Sequence, residues 1–284
     1  ASIVPLLQRF ADSKATVVIT ALYVMANNLK KFVTPDSDEE KALQRLFDRL
    51  SHAQVQRLGW LPVAGESNDD QLARPTVLSA ALYAQNHDAI AVAHQIFTDN
   101  QTQLASLSAD IRGLVLSNEV KHYGSEKLFN QLLTTYTQTS DASYKSSIRA
   151  ALTSTPDAAL IQKMIAQFEN ADVIKPQDLR GWFRGVLANA HGEQAAWDWI
   201  RNDWQWLEDT VGGDMEFATY ITVITGAFKT AKRLSEFKTF CEPKLNTPGL
   251  TREITMDIKI IESRVALVEA EKSAVNQAVV DEVK

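Results

Sequence analysis

An all-α fold built from repeated helix pairs is what this sequence predicts, and three observations predict it. Only 11 of the 284 residues are glycine and 8 are proline, too few for a turn-rich β architecture. Apolar residues recur at offsets of three, four, seven and eight, the spacing of one helical face. Helix-start signals near positions 70, 88, 108, 125, 141, 157, 175 and 193 lie 16 to 20 residues apart. Two helices then occupy about 35 residues, the length of a helical solenoid repeat. No residue signature recurs at that period, so the repetition is one of architecture alone.

Residues 3 to 33 read as two helices, the second covering 15 to 33. Val17, Val18 and Ile19 alone would suit a strand, but a lone strand has no partner, and Val17, Ala21, Val24 and Asn28 continue a helical face. Pro35 and Asp36 end that helix. Asp38, Glu39 and Glu40 then place carboxylates in the first turn of the next, where its dipole favours them. Its apolar face is Leu43, Leu46, Phe47 and Leu50. Gly59, Pro62 and Gly65 mark a loop, with Asp70 as the expected cap of the following helix. Leu78, Ala81 and Leu82 belong to that helix; after Asn86, His87 and Asp88, a second one carrying Ile90, Ala93 and Phe97 lies back on it. Such a hairpin cannot bury its apolar faces alone and needs neighbours of the same kind.

Ser108, Ser125, and Ser140 or Asp141 precede further helices. Thr155-Pro156 reads as a cap followed by proline at the first helical position, and Lys175-Pro176 repeats that proline placement. Leu160, Ile161, Met164, Ile165 and Phe168 form one stripe; Leu179, Trp182, Phe183, Val186 and Leu187 form another. Trp197, Trp199, Trp204 and Trp206 predict one helix with indoles on opposing sides, sandwiched between layers, in preference to an open stacking platform. The β-branched run 218–225 reads as a buried helix. The long C-terminal helix, with a seam of Ile261, Val265, Val268, Val275 and Val279, is expected to pack on the last repeat rather than to dimerise as a coiled coil.

The net charge of -6 counts against nucleic acid or an anionic membrane surface as partner. A single cysteine, Cys241, excludes an internal disulfide framework and fits a reducing, cytoplasmic setting. No stretch approaches the roughly 18 apolar residues of a membrane span. Opening on Ala1 and turning helical by Ile3, the sequence reads as a piece of something longer. None of His52, His87, His94, His122 and His191 stands in the H-E-x-x-H spacing of a zinc site. His87 and His94 could share a face but lack a third ligand. Gly65-Glu66-Ser67 does not complete a nucleophile elbow, Gly212-Gly213 is no phosphate loop, and the acids at 69 and 70 lack the third acid of a metal motif. On residues alone, no catalytic constellation is present.

Several stretches share an order with one known family. They are Leu58-Gly59-Trp60, Glu66, Leu72-Ala73-Arg74 and the hairpin ending at Ile96-Phe97. Leu107 to Arg112, Gly124-Ser125-Glu126, Tyr144-Lys145 through Leu152 and Lys175-Pro176-Gln177-Asp178 follow. Ala196 to Trp199, Asn202-Asp203-Trp204 and Arg233 to Lys238 complete the set. Together these resemble the C-terminal helical domain of zinc aminopeptidases of the aminopeptidase N type, whose larger relatives include the endoplasmic-reticulum antigen-trimming aminopeptidases. Phe129 stands where the family usually has tryptophan, and Tyr144 where an acid is common.

The resemblance implies a HEAT-like α-solenoid of antiparallel helix pairs, a concave superhelix forming one domain over residues 1–284. It implies a parent enzyme that removes N-terminal residues from peptides, with zinc held in the parent's catalytic domain and no cofactor in this chain. The zinc-binding helix and the glycine-containing exopeptidase motif are not in these residues, so no catalytic residue or metal ligand carries over, and the isolated chain is expected to be inactive. The implied partners are that catalytic domain and peptide substrates. Arg112 and Arg184 are the candidate peptide contacts, each weighed against a structural ion pair. The competing readings are a free-standing helical scaffold gripping a protein in its groove, and a helical enzyme with an unrecognised acid pair.

Overall fold

The computed structural model describes residues 1–214, 216–247 and 249–284, and among them are fifteen α-helices and no strand. The chain divides into two compact units, residues 1–119 with 270–284, and residues 120–269.

The first unit holds α1 (Val4–Arg9), α2 (Thr16–Leu29), α3 (Asp38–Leu58), α4 (Asn68–Tyr83) and α5 (His87–Asp99), with the first part of α6 (Ala109–His122) and the last part of α15 (Thr251–Glu282). Ser37 caps α3 by accepting from the Glu40 amide, while the Glu40 carboxylate accepts from the Asp36 amide, so two otherwise orphaned donors are satisfied reciprocally. Leu43, Leu46, Phe47 and Leu50 are buried, as their spacing predicts. Helices α3 and α4 run antiparallel: Arg57 near the end of α3 pairs with Asp70 at the start of α4, and Glu40 accepts from Tyr83 at the far end.

One expectation is corrected here, and one helical face is oriented. The cap of α4 is Ser67, which accepts from the Asp70 amide at 3.2 Å; Asp70 spends its carboxylate on Arg57 instead. The buried face of α2 is Ile19, Leu22, Tyr23, Ala26 and Leu29, whereas Val17 (76% exposed), Ala21, Val24 (56%) and Asn28 face away from the core. Helix α2 carries valines on its exposed side as well as apolar residues on its buried one, so periodicity could not choose between them.

The second unit holds the end of α6, then α7 (Glu126–Gln138), α8 (Ala142–Leu152), α9 (Ala158–Ile165), α10 (Pro176–Ala188), α11 (Glu193–Asn202), α12 (Trp204–Val211), α13 (Thr219–Ala227), α14 (Ala231–Cys241) and most of α15. Ser125 caps α7 and Asp141 caps α8. Asp157, not Thr155, caps α9, accepting from the amides of Ala159 and Leu160. The stripes of α9 and α10 are buried throughout.

The four tryptophans lie on two helices, not one, because the chain breaks at Asp203 between α11 and α12. Asn and Asp side chains compete for backbone hydrogen bonds and end helices readily. The expected pairing of indoles survives the break: Trp197 and Trp204 both meet Phe240, with ring centroids 5.2 and 5.3 Å away, and Trp199 lies 6.4 Å from Trp206.

Helix α15 does not simply close on the preceding helices. Its first part buries Ile254, Asp257 and Ile261 in the second unit, and Arg264 donates to the carbonyls of Thr225 and Phe228. Residues 269–274 are exposed on every side. Beyond them Val275, Asn276 and Val279 are buried in the first unit, where Asn276 donates to the Phe32 carbonyl at 3.1 Å. The seam read across Lys272 is therefore two separate contacts.

Candidate functional site

Several buried or part-buried polar groups, among them Glu66, Arg74, Asp178, Arg233 and Glu236, sit in the stretches that carry the resemblance. In the turn between α3 and α4, Gly59 (φ 60°) and Gly65 (φ 79°) take the left-handed backbone that glycine adopts without strain. This turn brings Glu66 under the first part of α4. The Arg74 guanidinium, 4% exposed, donates Nε and Nη2 to the Leu58 carbonyl at 3.3 and 3.2 Å and Nη1 to Glu66 Oε1 at 3.0 Å, with Nη2 also on the second Glu66 oxygen. The bond from Arg74 holds the Glu66 carboxyl below the usual carboxylate range, and the bond from Arg57 does the same for Asp70. Buried charges are tolerated when paired and fully hydrogen-bonded. The Leu58…Glu66…Arg74 pattern is thus a clasp that fixes the hairpin turn.

The second unit has two counterparts. Tyr136 on α7 accepts from Trp182 Nε1 at 3.0 Å and donates to Asp178 at 3.2 Å, both on α10, with the Tyr136 and Trp182 rings edge to face at 5.0 Å. Burial raises the Tyr136 hydroxyl above its ordinary pKa. On α14, Glu236 accepts from Trp197 Nε1 at 3.0 Å and from Arg233 at 2.7 Å, while Arg233 also reaches Glu193 on α11 at 2.8 Å. Burial alone would raise the Glu236 carboxyl, but the bonds from Arg233 and Trp197 outweigh it and hold the group low. These clasps tie α7 to α10 and α11 to α14. None presents a nucleophile beside a base.

Arg112 lies in the first turn of α6, buried, with Nη1 donating to the Ala105 carbonyl at 2.7 Å. Arg184 is exposed on α10. His94 on α5 contacts Glu119 through Nδ1 at 2.7 Å, and His52 contacts Gln56. His122 is pushed below its ordinary pKa by burial and by neighbouring Lys121. Burial pushes the Cys241 thiol up to about 12, which keeps it a packing group rather than a thiolate nucleophile. Among the described residues no group of three or more His, Cys, Asp or Glu could hold a metal ion. None of the described helices is long and apolar enough to cross a membrane.

A pocket of about 340 Å³ opens in the first unit, lined by Tyr23 and Lys30, Phe47 of α3, and Pro75, Thr76 and Ser79 of α4. The Lys30 ammonium stands 3.5 Å from the Tyr83 ring centroid, a cation–π contact. Tyr23 donates to the Leu50 carbonyl at 3.0 Å, and burial raises its pKa, so it does no proton transfer near neutrality. The pocket's polar lining is the hydroxyls of Tyr23, Thr76 and Ser79, the Asn27 amide and the Lys30 ammonium. No spacing rule points to it, because its walls come from the inner edges of three helices.

A family model described as the ERAP1-like C-terminal domain matches residues 1–263. The chain is 59% identical over 279 residues to aminopeptidase N of Lactobacillus helveticus, and 50% identical over 279 residues to aminopeptidase N of Lactobacillus delbrueckii subsp. lactis; each match covers 98% of this chain. It is 41% identical over 282 residues to aminopeptidase N of Lactococcus lactis subsp. cremoris (strain MG1363), covering 99% of this chain. The chain spans 33% of the length of each of these relatives, and the matched region is their C-terminal part.

Proposed function

The chain belongs to the ERAP1-like C-terminal domain family, and from that premise we propose that it is the C-terminal part of a zinc-dependent aminopeptidase that removes N-terminal residues from peptides. The match over residues 1–263 carries this reading, supported by relatives named aminopeptidase N that align with nearly the whole chain. In this reading zinc, which activates water for amide hydrolysis, is held by the preceding catalytic portion. The residues of this chain bind and exclude; they transfer no proton in the reaction.

The proposed mechanism is enclosure. The helix pairs form a HEAT-like, concave solenoid acting as one domain, bounding a chamber over the zinc site and limiting which peptides enter. Burying an extended peptide requires polar groups that meet its backbone and carboxylate. Arg184 suits that task by its exposure. Arg112 is kept as the second candidate, acting from the start of α6 beside the Ala105 carbonyl. The proposal includes a cytoplasmic setting, supported by the single free thiol of Cys241.

Steady-state kinetics of the full-length protein test the reading. It should turn over both an aminoacyl-anilide and longer peptides, and the 284-residue chain alone neither. Arg184→Glu in the full-length protein should raise KM for longer peptides several-fold while leaving anilide turnover unchanged. Hydrolysis of the anilide by the chain alone would overturn the proposal.

A further inference from the structure

We draw no further inference here: the strongest candidate, the pocket between α2, α3 and α4 lined by Tyr23, Lys30, Phe47, Thr76 and Ser79, belongs to the site already described, and its lining alone does not select a ligand.

Discussion

Arg74 serves the Leu58 carbonyl and both oxygens of Glu66 from inside the α3–α4 turn. Arg74→Ala should lower the urea midpoint, and Arg74→Lys should fail to restore it, because an ammonium cannot replace a planar fork with several donors. The Glu66 carboxyl is held low by Arg74, so its stabilisation is present above the ordinary glutamate value of about 4.3 and lost as pH falls through the lower folded value. Asp257 runs the other way. Burial pushes its carboxyl up, opposed in part by Thr225 and Thr222. Its contribution favours folding below the ordinary aspartate value of about 3.9 and is lost as pH rises through the folded value. Asp257→Asn should therefore raise the thermal midpoint relative to the parent protein at pH values above the raised folded value and have less effect below about 3.9, read by thermal denaturation across pH. The pattern around Arg74 was legible as a family signature. Its purpose was not, since the three partners meet only once a loop has folded back across 16 positions.

Helices α8 and α10 approach closely where α10 lacks side chains. A Cβ on Gly185 would lie 2.5 Å from Thr153 Oγ1 and 2.8 Å from its Cβ, and one on Gly181 would lie 2.5 Å from Arg149 Nη1. Gly185→Ala should destabilise by about 1–3 kcal/mol through overpacking, outweighing the gain in helix propensity. Gly226 on α13 is the control, since a Cβ there meets nothing within 4 Å. Gly226→Ala should stabilise by about 0.5–1 kcal/mol; thermal denaturation of the pair reads both signs. At this scale the stripe of α10 could be read from Leu179 to Leu187 because one face is apolar and the other is not. Helix α2 could not be oriented, because Val17 and Val24 are as apolar as Ile19 and Leu22. The break at Asp203 was hidden by four indoles whose spacing suits either one helix or two.

The two units differ in how their chain is assembled. The second is continuous from 120 to 269, whereas the first draws residues 270–284 from the far end of the sequence. All-α architecture was legible from composition and period. This membership was not, because the hydrogen bond from Asn276 to Phe32 joins residues 244 apart and leaves no local trace. Removing residues 270–284 should speed amide exchange around Phe32 and Arg49, which donates to the Val283 carbonyl at 2.9 Å, while α7 to α11 keep their protection; hydrogen-exchange mass spectrometry measures both.

Residues leave the ribosome in order, and domains usually complete themselves from the N-terminus onward as they emerge. Here that order is inverted. Within this region Phe32 and Arg49 appear early, but their partners Asn276 and Val283 emerge only with the final turns of α15. The helices translated earlier in this region finish folding after those translated later, and a nascent chain stalled before the end of α15 leaves them open to chaperones and proteases.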